Sequence, residues 1–269
     1  MKDSVLVNRL PLEAADAYLA VVTLNRPESM NPLDWATIGE LGLAFDELAA
    51  DDQVRVVAVT GAGAAFSAGG DMAKYLALQS DAQQFPRFLA DLHEVFSRIS
   101  QYPKPYLALI NGLAIAGGLE LMLSCDLVFA STTARIGDGH LTYGQMGGGG
   151  VLTLLPRAVG PMRARELILS GRLLRAAEAL DWGLVSQVLP PDGLLSAARD
   201  FASAVSQRSP LAVANAKQTL NAAFHEGTNT QAGLRLEREV TARYCLTSVD
   251  AREGLNAFAE KRAPAFIGR

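Results

Sequence analysis

The sequence predicts an α/β fold over residues 1–190, followed by a helical region over residues 191–269. Two apolar runs of strand length, Val54 to Thr60 and Pro105 to Ile110, each break into glycine and lead to a helix start. Beyond Arg163 the apolar residues recur mainly at helical spacing, with one strand-like run, Leu184 to Val188, among them. Strands alternating with helices first, and helices last, describe a sheet-based core with a helical appendage. A boundary within Pro190 to Arg208 fits that order. No fixed-period repeat points to a solenoid.

Taken in order, Ser4 to Leu10 and Tyr18 to Leu24 read as strands around a polar connection. Asn31 followed by Pro32 reads as an N-cap and first helical residue, and Ile38, Leu41, Phe45 and Leu48 then form a core stripe. The strand Val54 to Thr60 opens into Gly61-Ala-Gly63 and then Phe66-Ser-Ala-Gly69-Gly70-Asp71, with Asp71 placed to cap the next helix. Gly61 and Gly63 could begin a dinucleotide fingerprint, but Phe66 fills the third glycine position, where helix and strand must pack closely. No Gly-Lys-Ser/Thr follows either, so neither a Rossmann site nor a P-loop is expected. Phe85, Phe88, Leu89, Leu92, Val95, Phe96 and Ile99 mark a long amphipathic helix with His93 off its apolar stripe. Leu127 to Ala130 is a further strand. Residues 134–150 read as a loop carrying His140, Tyr143 and four glycines, Gly147 to Gly150, that look like linker slack. Helices follow over Arg163 to Leu169, Ala176 to Trp182 and Leu194 to Val205, and another begins at Pro210 with Ser209 as its cap.

The stretch from Ile110 to Asp126 organises the rest. Its strand breaks at Asn111-Gly112, and a second break, Gly117-Gly118, precedes an apolar segment carrying Glu120. Glycines in the first turn of a helix leave backbone N–H groups uncovered, so an anionic oxygen can approach them. Glu120 lies about one turn inside, among leucine and methionine that would raise its pKa. The structural alternative is a capping-box glutamate beside glycines that serve packing alone. A membrane span over Tyr106 to Ala130 is disfavoured, because Glu120, Asp126 and three glycines interrupt it.

Composition narrows the function classes. With 269 residues the chain can bury a full core, and a net charge of −4 gives no basic footprint for nucleic acid. Cys125 and Cys245 form no paired-thiol motif, which suits buried free thiols in a reducing compartment. The three histidines, His93, His140 and His225, show no zinc spacing, so no metal is expected. The Met-Lys-Asp-Ser start leads directly into a strand-like run without a signal or transit pattern, so a cytoplasmic protein away from membranes is expected.

A larger set of motifs runs in order along nearly the whole chain. They are Leu24-Asn-Arg-Pro27 with Asn31, Phe66 to Asp71, Ile110-Asn-Gly112 through Gly117-Gly-Leu-Glu120, and Cys125-Asp126. Leu169-Ser-Gly-Arg172, Ala176 to Leu180, Trp182-Gly-Leu-Val185, Arg252-Glu-Gly254 and Ala257-Phe-Ala-Glu-Lys-Arg262 follow. This ordered set resembles the enoyl-CoA hydratase/isomerase family, also called the crotonase family. The resemblance implies a crotonase-like core of repeated strand-strand-helix turns with a C-terminal helical trimerisation region, and a homotrimer or dimer of trimers. It implies an acyl-CoA thioester as ligand, with coenzyme A as part of the substrate and no permanently bound cofactor.

By position, the resemblance matches the backbone N–H groups of Gly70 and Gly117 to an oxyanion hole for a thioester enolate, and Glu120 to one catalytic carboxylate. Glu28, Ser29, Met30, Ala68, Asp71 and Met72 line up with segments near the CoA moiety, and Phe258 and Lys261 with residues that reach CoA from a neighbouring subunit. Glu28 stands where many members carry Lys or Ala, which would weaken a phosphate contact. Counted without gaps from Glu120 to Pro156-Arg-Ala-Val-Gly160, His140 falls where hydratases with paired glutamates carry the second carboxylate. An imidazole with a pKa of about 6.5 can still act as general acid or base. His140 is therefore a candidate second catalytic group, against the alternative of a loop histidine without a role. Gly147 also stands in place of a common proline.

The expected function is hydration or dehydration of a 2-enoyl-CoA. The alternatives are an enoyl-CoA double-bond isomerase using Glu120 as a single shuttle, and a non-catalytic acyl-CoA binder. A serine peptidase on the related fold would need a nucleophile at the second glycine turn, where Glu120 stands and the nearest serines are Ser67 and Ser124.

Overall fold

The apolar runs of the first half are continuous because they face a covered surface on both sides. Alternate residues of one run, Val57 and Val59, join one hydrophobic cluster, while Val56 and Ala58 join another on the opposite face. The computed structural model describes residues 3–13, 16–225, 227 and 229–269, without the side chains of 224 and 225. Met1, Lys2 and the His225 imidazole lie outside the described residues.

In chain order the elements are β1 (Val5–Pro11), β2 (Tyr18–Leu24), α1 (Trp35–Ala50), β3 (Val54–Gly61), β4 (Ala65–Ser67), α2 (Met72–Gln79) and α3 (Gln84–Gln101). Then come β5 (Tyr106–Ile110), β6 (Leu113–Ile115), α4 (Gly117–Ser124), β7 (Leu127–Ser131), β8 (Arg135–Gly137), α5 (Val151–Val159) and α6 (Pro161–Ser170). The chain continues through β9 (Leu174–Arg175), α7 (Ala176–Asp181), β10 (Gln187–Leu189), α8 (Leu194–Ser206), α9 (Pro210–His225), α10 (Thr230–Thr247) and α11 (Val249–Glu260). Short 3-10 turns occupy Pro27–Ser29, His140–Tyr143 and Pro191–Gly193.

The strands form a six-stranded sheet, β1-β2-β3-β5-β7-β10, and a four-stranded sheet, β4-β6-β8-β9. All pairs are parallel except β1 with β2 and β8 with β9. Each long strand β3, β5 and β7 passes to a short strand of the second sheet before the chain turns helical. The repeated strand-strand-helix turn is thus present, and the fold is the α/β architecture that the sequence predicts.

Several local readings change. Asn31 does not cap α1. It adopts a left-handed conformation (φ 54°), is buried, and its amide donates to the carbonyls of Ala62 and Ala65 at 2.9 and 2.8 Å. Asp34 is the cap, accepting from the Thr37 N–H at 2.9 Å. The expected loop 134–150 contains β8 and a 3-10 turn, held because β8 pairs with β6. The strand expected at Leu184 to Val188 is β10, two residues shorter at Gln187–Leu189, with Leu184 and Val185 buried in the core ahead of it. Cys125 packs half-buried against the core, but Cys245 is exposed on α10 rather than buried. Among the predicted helix features, the stripe Ile38, Leu41, Phe45 and Leu48 is fully buried and Asp71 caps α2 through the Lys74 N–H.

The packing shows where the helical part leaves the sheet. Leu194, Ala198 and Ala202 of α8 lie against Leu19, Val56, Leu107 and Phe129 on one sheet face. The helix that follows, α9, is tied back to the core by polar contacts. The buried Lys217 of α9 donates to the Ile99 and Lys104 carbonyls at 2.8 Å each and pairs with Asp126 at 2.7 Å. Asp126 in turn accepts from the Tyr106 N–H at 2.7 Å, which gives the Cys125-Asp126 motif a structural task.

Candidate active site

Two crossovers from the large sheet to the small one bring the two glycine turns together. The segment before α1 is stitched to the first turn: Ala68 N–H donates to the Met30 carbonyl at 2.9 Å and Leu33 N–H to the Gly69 carbonyl at 2.8 Å. Ser67 is buried and donates to the Asn31 carbonyl at 2.8 Å while accepting from the Gly69 N–H at 3.1 Å. The Ser124 hydroxyl donates to the Glu120 carbonyl at 2.9 Å. Both hydroxyls donate to backbone carbonyls, and neither is paired with a histidine base among the described residues, as the nucleophile of a peptidase would be.

Gly69 is left-handed (φ 89°), and a Cβ there would lie 2.8 Å from Ala116 Cβ and 3.2 Å from Gly117 N. Only glycine lets the two turns approach so closely. Ala116, the residue before α4, holds φ 54° and ψ −121° without glycine's freedom, a strained conformation that costs on the order of 1–3 kcal/mol. Strain of this kind persists where the surroundings impose it, here at the residue that sets the first N–H of α4. Among the described residues neither Gly70 N–H nor Gly117 N–H has a hydrogen-bond acceptor, and both glycines line one cavity of about 460 Å³.

Glu120 is 1% exposed and faces that cavity. Its Oε1 accepts from the Gly149 N–H at 2.8 Å and the Val151 N–H at 3.3 Å, so it is not a capping-box residue of its own helix. Burial pushes its pKa above the ordinary carboxylate value, opposed by the charge of His140 and the two N–H donors and reinforced by Asp138. The four glycines are not slack. A Cβ on Gly149 would meet Glu120 Oε2 at 2.8 Å, and one on Gly147 would meet Glu120 Oε1 at 2.8 Å and His140 Cε1 at 3.3 Å. Gly147 and Gly149 pass directly over the carboxylate, whereas a Cβ on Gly148 would meet Leu89 at 2.7 Å and Gly150 is left-handed (φ 121°); Glu120 and His140 both converge on Gly147.

His140 starts the 3-10 turn after β8 and lines the cavity opposite α4. Its Nδ1 lies 2.7 Å from Asp138 Oδ1, a carboxylate only 1% exposed. Burial alone would lower the imidazole pKa; the hydrogen bond to Asp138 and the negative charges of Glu120 and Asp138 outweigh it and raise the pKa. The sequence pattern alone does not single out Asp138. The signal lay in an acid two residues before a histidine, but its meaning depends on β8 being extended and buried.

Of the residues aligned with CoA, Ser29, Met30, Ala68, Asp71 and Met72 line the cavity, while Glu28 does not. Phe258 and Lys261 sit at the end of α11, outside the cavity of their own chain, and Phe258 is 85% exposed. The remaining wall is mostly apolar, with Leu33, Phe88, Leu89, Leu92 and Ile115, and Tyr75 from α2, while Tyr143 and Gln145 add polar groups. Phe88 and Tyr75 meet edge to face at 6.1 Å. Asp71, which lines the cavity, accepts from Arg26 at 3.3 Å, and Arg26 also donates to Asp34 at 2.6 Å, which accepts from Lys74 at 2.5 Å. Among the described residues no cluster of three or more His, Cys, Asp or Glu could hold a metal, and no helix is long and apolar enough to cross a membrane.

Residues 14–269 match the family model described as enoyl-CoA hydratase/isomerase. A probable enoyl-CoA hydratase of Mycobacterium tuberculosis is 36% identical over 267 residues, 99% of each chain. A putative enoyl-CoA hydratase of Thermus thermophilus is 38% identical over 257 residues, 95% of this chain and all of that one. The crystal structure of an enoyl-CoA hydratase from Bacillus anthracis superposes with a TM-score of 0.91 at 31% identity, covering 99% of this chain and 100% of that one.

Proposed function

The chain belongs to the enoyl-CoA hydratase/isomerase family, and on that premise we propose that it is an enoyl-CoA hydratase, adding water across the double bond of a 2-enoyl-CoA thioester. The observation that carries the reading is the cavity in which two free N–H groups, Gly70 and Gly117, lie beside a buried glutamate and an imidazole. The thioester oxygen accepts from both N–H groups. As water adds to the β-carbon, negative charge moves to that oxygen, where each preorganised donor stabilises the transition state by about 3 kcal/mol. Glu120 and His140 between them take one proton from the water and deliver one to the α-carbon. Hydration needs both transfers on one substrate, and the presence of a second acid/base group beside Glu120 favours it over isomerisation by a single shuttle.

Coenzyme A enters as part of the substrate, past Met30, Ala68, Asp71 and Met72. Assembly as a homotrimer or dimer of trimers, with Phe258 and Lys261 reaching a neighbour's ligand, belongs to the same proposal. It is supported by the exposed apolar residues of the C-terminal helices, among them Leu246, Leu255 and Phe258; sedimentation of the protein as a monomer would exclude it.

The test is an ultraviolet assay with crotonyl-CoA and a longer 2-enoyl-CoA, following loss of the conjugated thioester and weighing the product. A product heavier by one water is expected, with turnover reduced at least about a hundredfold in Glu120→Gln while thioester binding persists. Binding without water addition, together with migration of the double bond in a 3-enoyl-CoA, would replace hydration by isomerisation. Binding with neither reaction would leave an acyl-CoA-binding protein.

A further inference from the structure

The residues matched by position leave one buried acid at the site without a task. Asp138 follows β8, is almost fully buried, and has a single hydrogen-bond partner among the described residues, the Nδ1 of His140. A buried carboxylate keeps its charge only beside a cation or a strong donor. An ionised carboxylate can only accept, so Nδ1 carries the hydrogen and the ring's remaining nitrogen is Nε2. The charged groups facing the ring are Asp138 on its own segment and Glu120 from α4. Tyr143 from the same turn and Tyr75 from α2 line the same cavity. Among the described residues, two negative groups and no second cation face the imidazole.

We propose that Asp138 is a positioning residue that keeps His140 doubly protonated, Nδ1–H donated to Asp138 and Nε2–H presented to the substrate, so that His140 is the acid and Glu120 the base of the hydration. The proposal rests on the hydratase reading. Glu120 takes a proton from water as the water oxygen bonds to the β-carbon, and the π electrons move to the thioester oxygen. His140 Nε2 then gives its proton to the α-carbon as the enolate collapses. The cycle ends with Glu120 protonated and His140 neutral, and one proton passing between them through solvent resets the pair. Two like carboxylates must share a proton to divide such work. Here the division is built in, because one partner carries its own counter-charge.

Asp138→Asn in the full chain removes the charge and nearly keeps the shape. Expected are a kcat for crotonyl-CoA lower by on the order of a hundredfold with KM little changed, and a lower midpoint for the His140 ring signals in an NMR pH titration. The signals are assigned by their loss in His140→Gln. The alkaline limb of the activity profile should move down with that midpoint, and Asp138→Glu should restore both in part. A folded Asp138→Asn with wild-type kcat, or with an unmoved His140 midpoint, overturns the proposal. If that variant does not fold, Asp138→Ser, smaller and equally uncharged, takes its place, and a wild-type kcat or an unmoved midpoint there overturns the proposal in the same way. If the wild type hydrates no enoyl-CoA, the hydratase reading fails by itself, while the NMR midpoint still decides whether Asp138 holds the proton on His140.

Discussion

Gly149→Ala is the sharpest perturbation of the site, because it adds one methyl group and nothing else. Gly149 is not left-handed, so alanine is free to keep its backbone conformation and its N–H can still donate to Glu120. The new Cβ would stand 2.8 Å from Glu120 Oε2, 3.1 Å from its Cδ and 3.2 Å from Phe96 Cδ2, where ordinary contact begins at 3.4 Å. Neither neighbour gives easily: Phe96 is fully buried, and the other oxygen of the carboxylate is held by two N–H groups. The carboxylate must retreat by roughly half an ångström, and since a 1 Å misplacement can cost about a hundredfold, kcat should fall by about tenfold. Overpacking a closed site should also lower stability by about 1–3 kcal/mol. The assay is crotonyl-CoA hydration with a thermal melt. Gly144→Ala is the control on the same loop: its φ is 64° with nothing within 4 Å of the new Cβ, so it should lose about 1–2 kcal/mol to backbone strain and keep kcat. Wild-type kcat and melting in Gly149→Ala would refute the reasoning.

Further outcomes follow from the same geometry. Gly117→Pro removes one of the two free N–H groups, and turnover should drop by at least about a hundredfold to a thousandfold; normal turnover would sink the oxyanion assignment. Activity against pH should be bell-shaped, rising as Glu120 ionises above its ordinary 4.5 and falling as His140 loses its proton above its ordinary 6.5; an activity that stays high into alkali would contradict a protonated imidazole. Stability has the same sign for both groups. Each folded pKa is raised, so the His140 contribution is full below 6.5 and lost as pH rises through its folded value, and the Glu120 contribution is lost likewise above 4.5. Asp34 runs the other way: burial opposes its ionisation, but Lys74, Thr37 and Arg26 hold it down to about 2, so its contribution is present above 3.8 and lost as pH falls through about 2. Denaturant midpoints across pH check both limbs. Phe88→Ala breaches the wall of Leu33, Asp71, Tyr75 and Phe88 that separates the main cavity from a second one of about 290 Å³. It should cost about 3–5 kcal/mol and raise the long-to-short acyl ratio of kcat/KM by at least about tenfold, and an unmoved ratio in folded protein would dismiss the partition.

Features that depend on neighbours a few residues away are written in the order of the amino acids. The central strands β2, β3, β5 and β7 of the large sheet were legible because two covered faces demand unbroken apolar runs, and the α1 and α3 stripes because a buried helix face repeats every three or four residues. Asp71 as a cap and Gly117-Gly118 at the head of α4 follow from the same short range, as does Glu120 one turn beyond. The three-residue strands β4, β6 and β8 are too short to show a period, so the second sheet emerged only from pairing. Asn31 looked like a cap until its partners, Ala62 and Ala65, were found more than thirty residues on. Gly149 looked like slack until its N–H met Glu120 across 29 positions, and Asp138 had no meaning until β8 buried it against His140. Sequence spacing encodes the period of an element and the caps at its ends. Which carboxylate is buried beside which donor is decided by crossovers between sheets, where contacts have no fixed spacing to read.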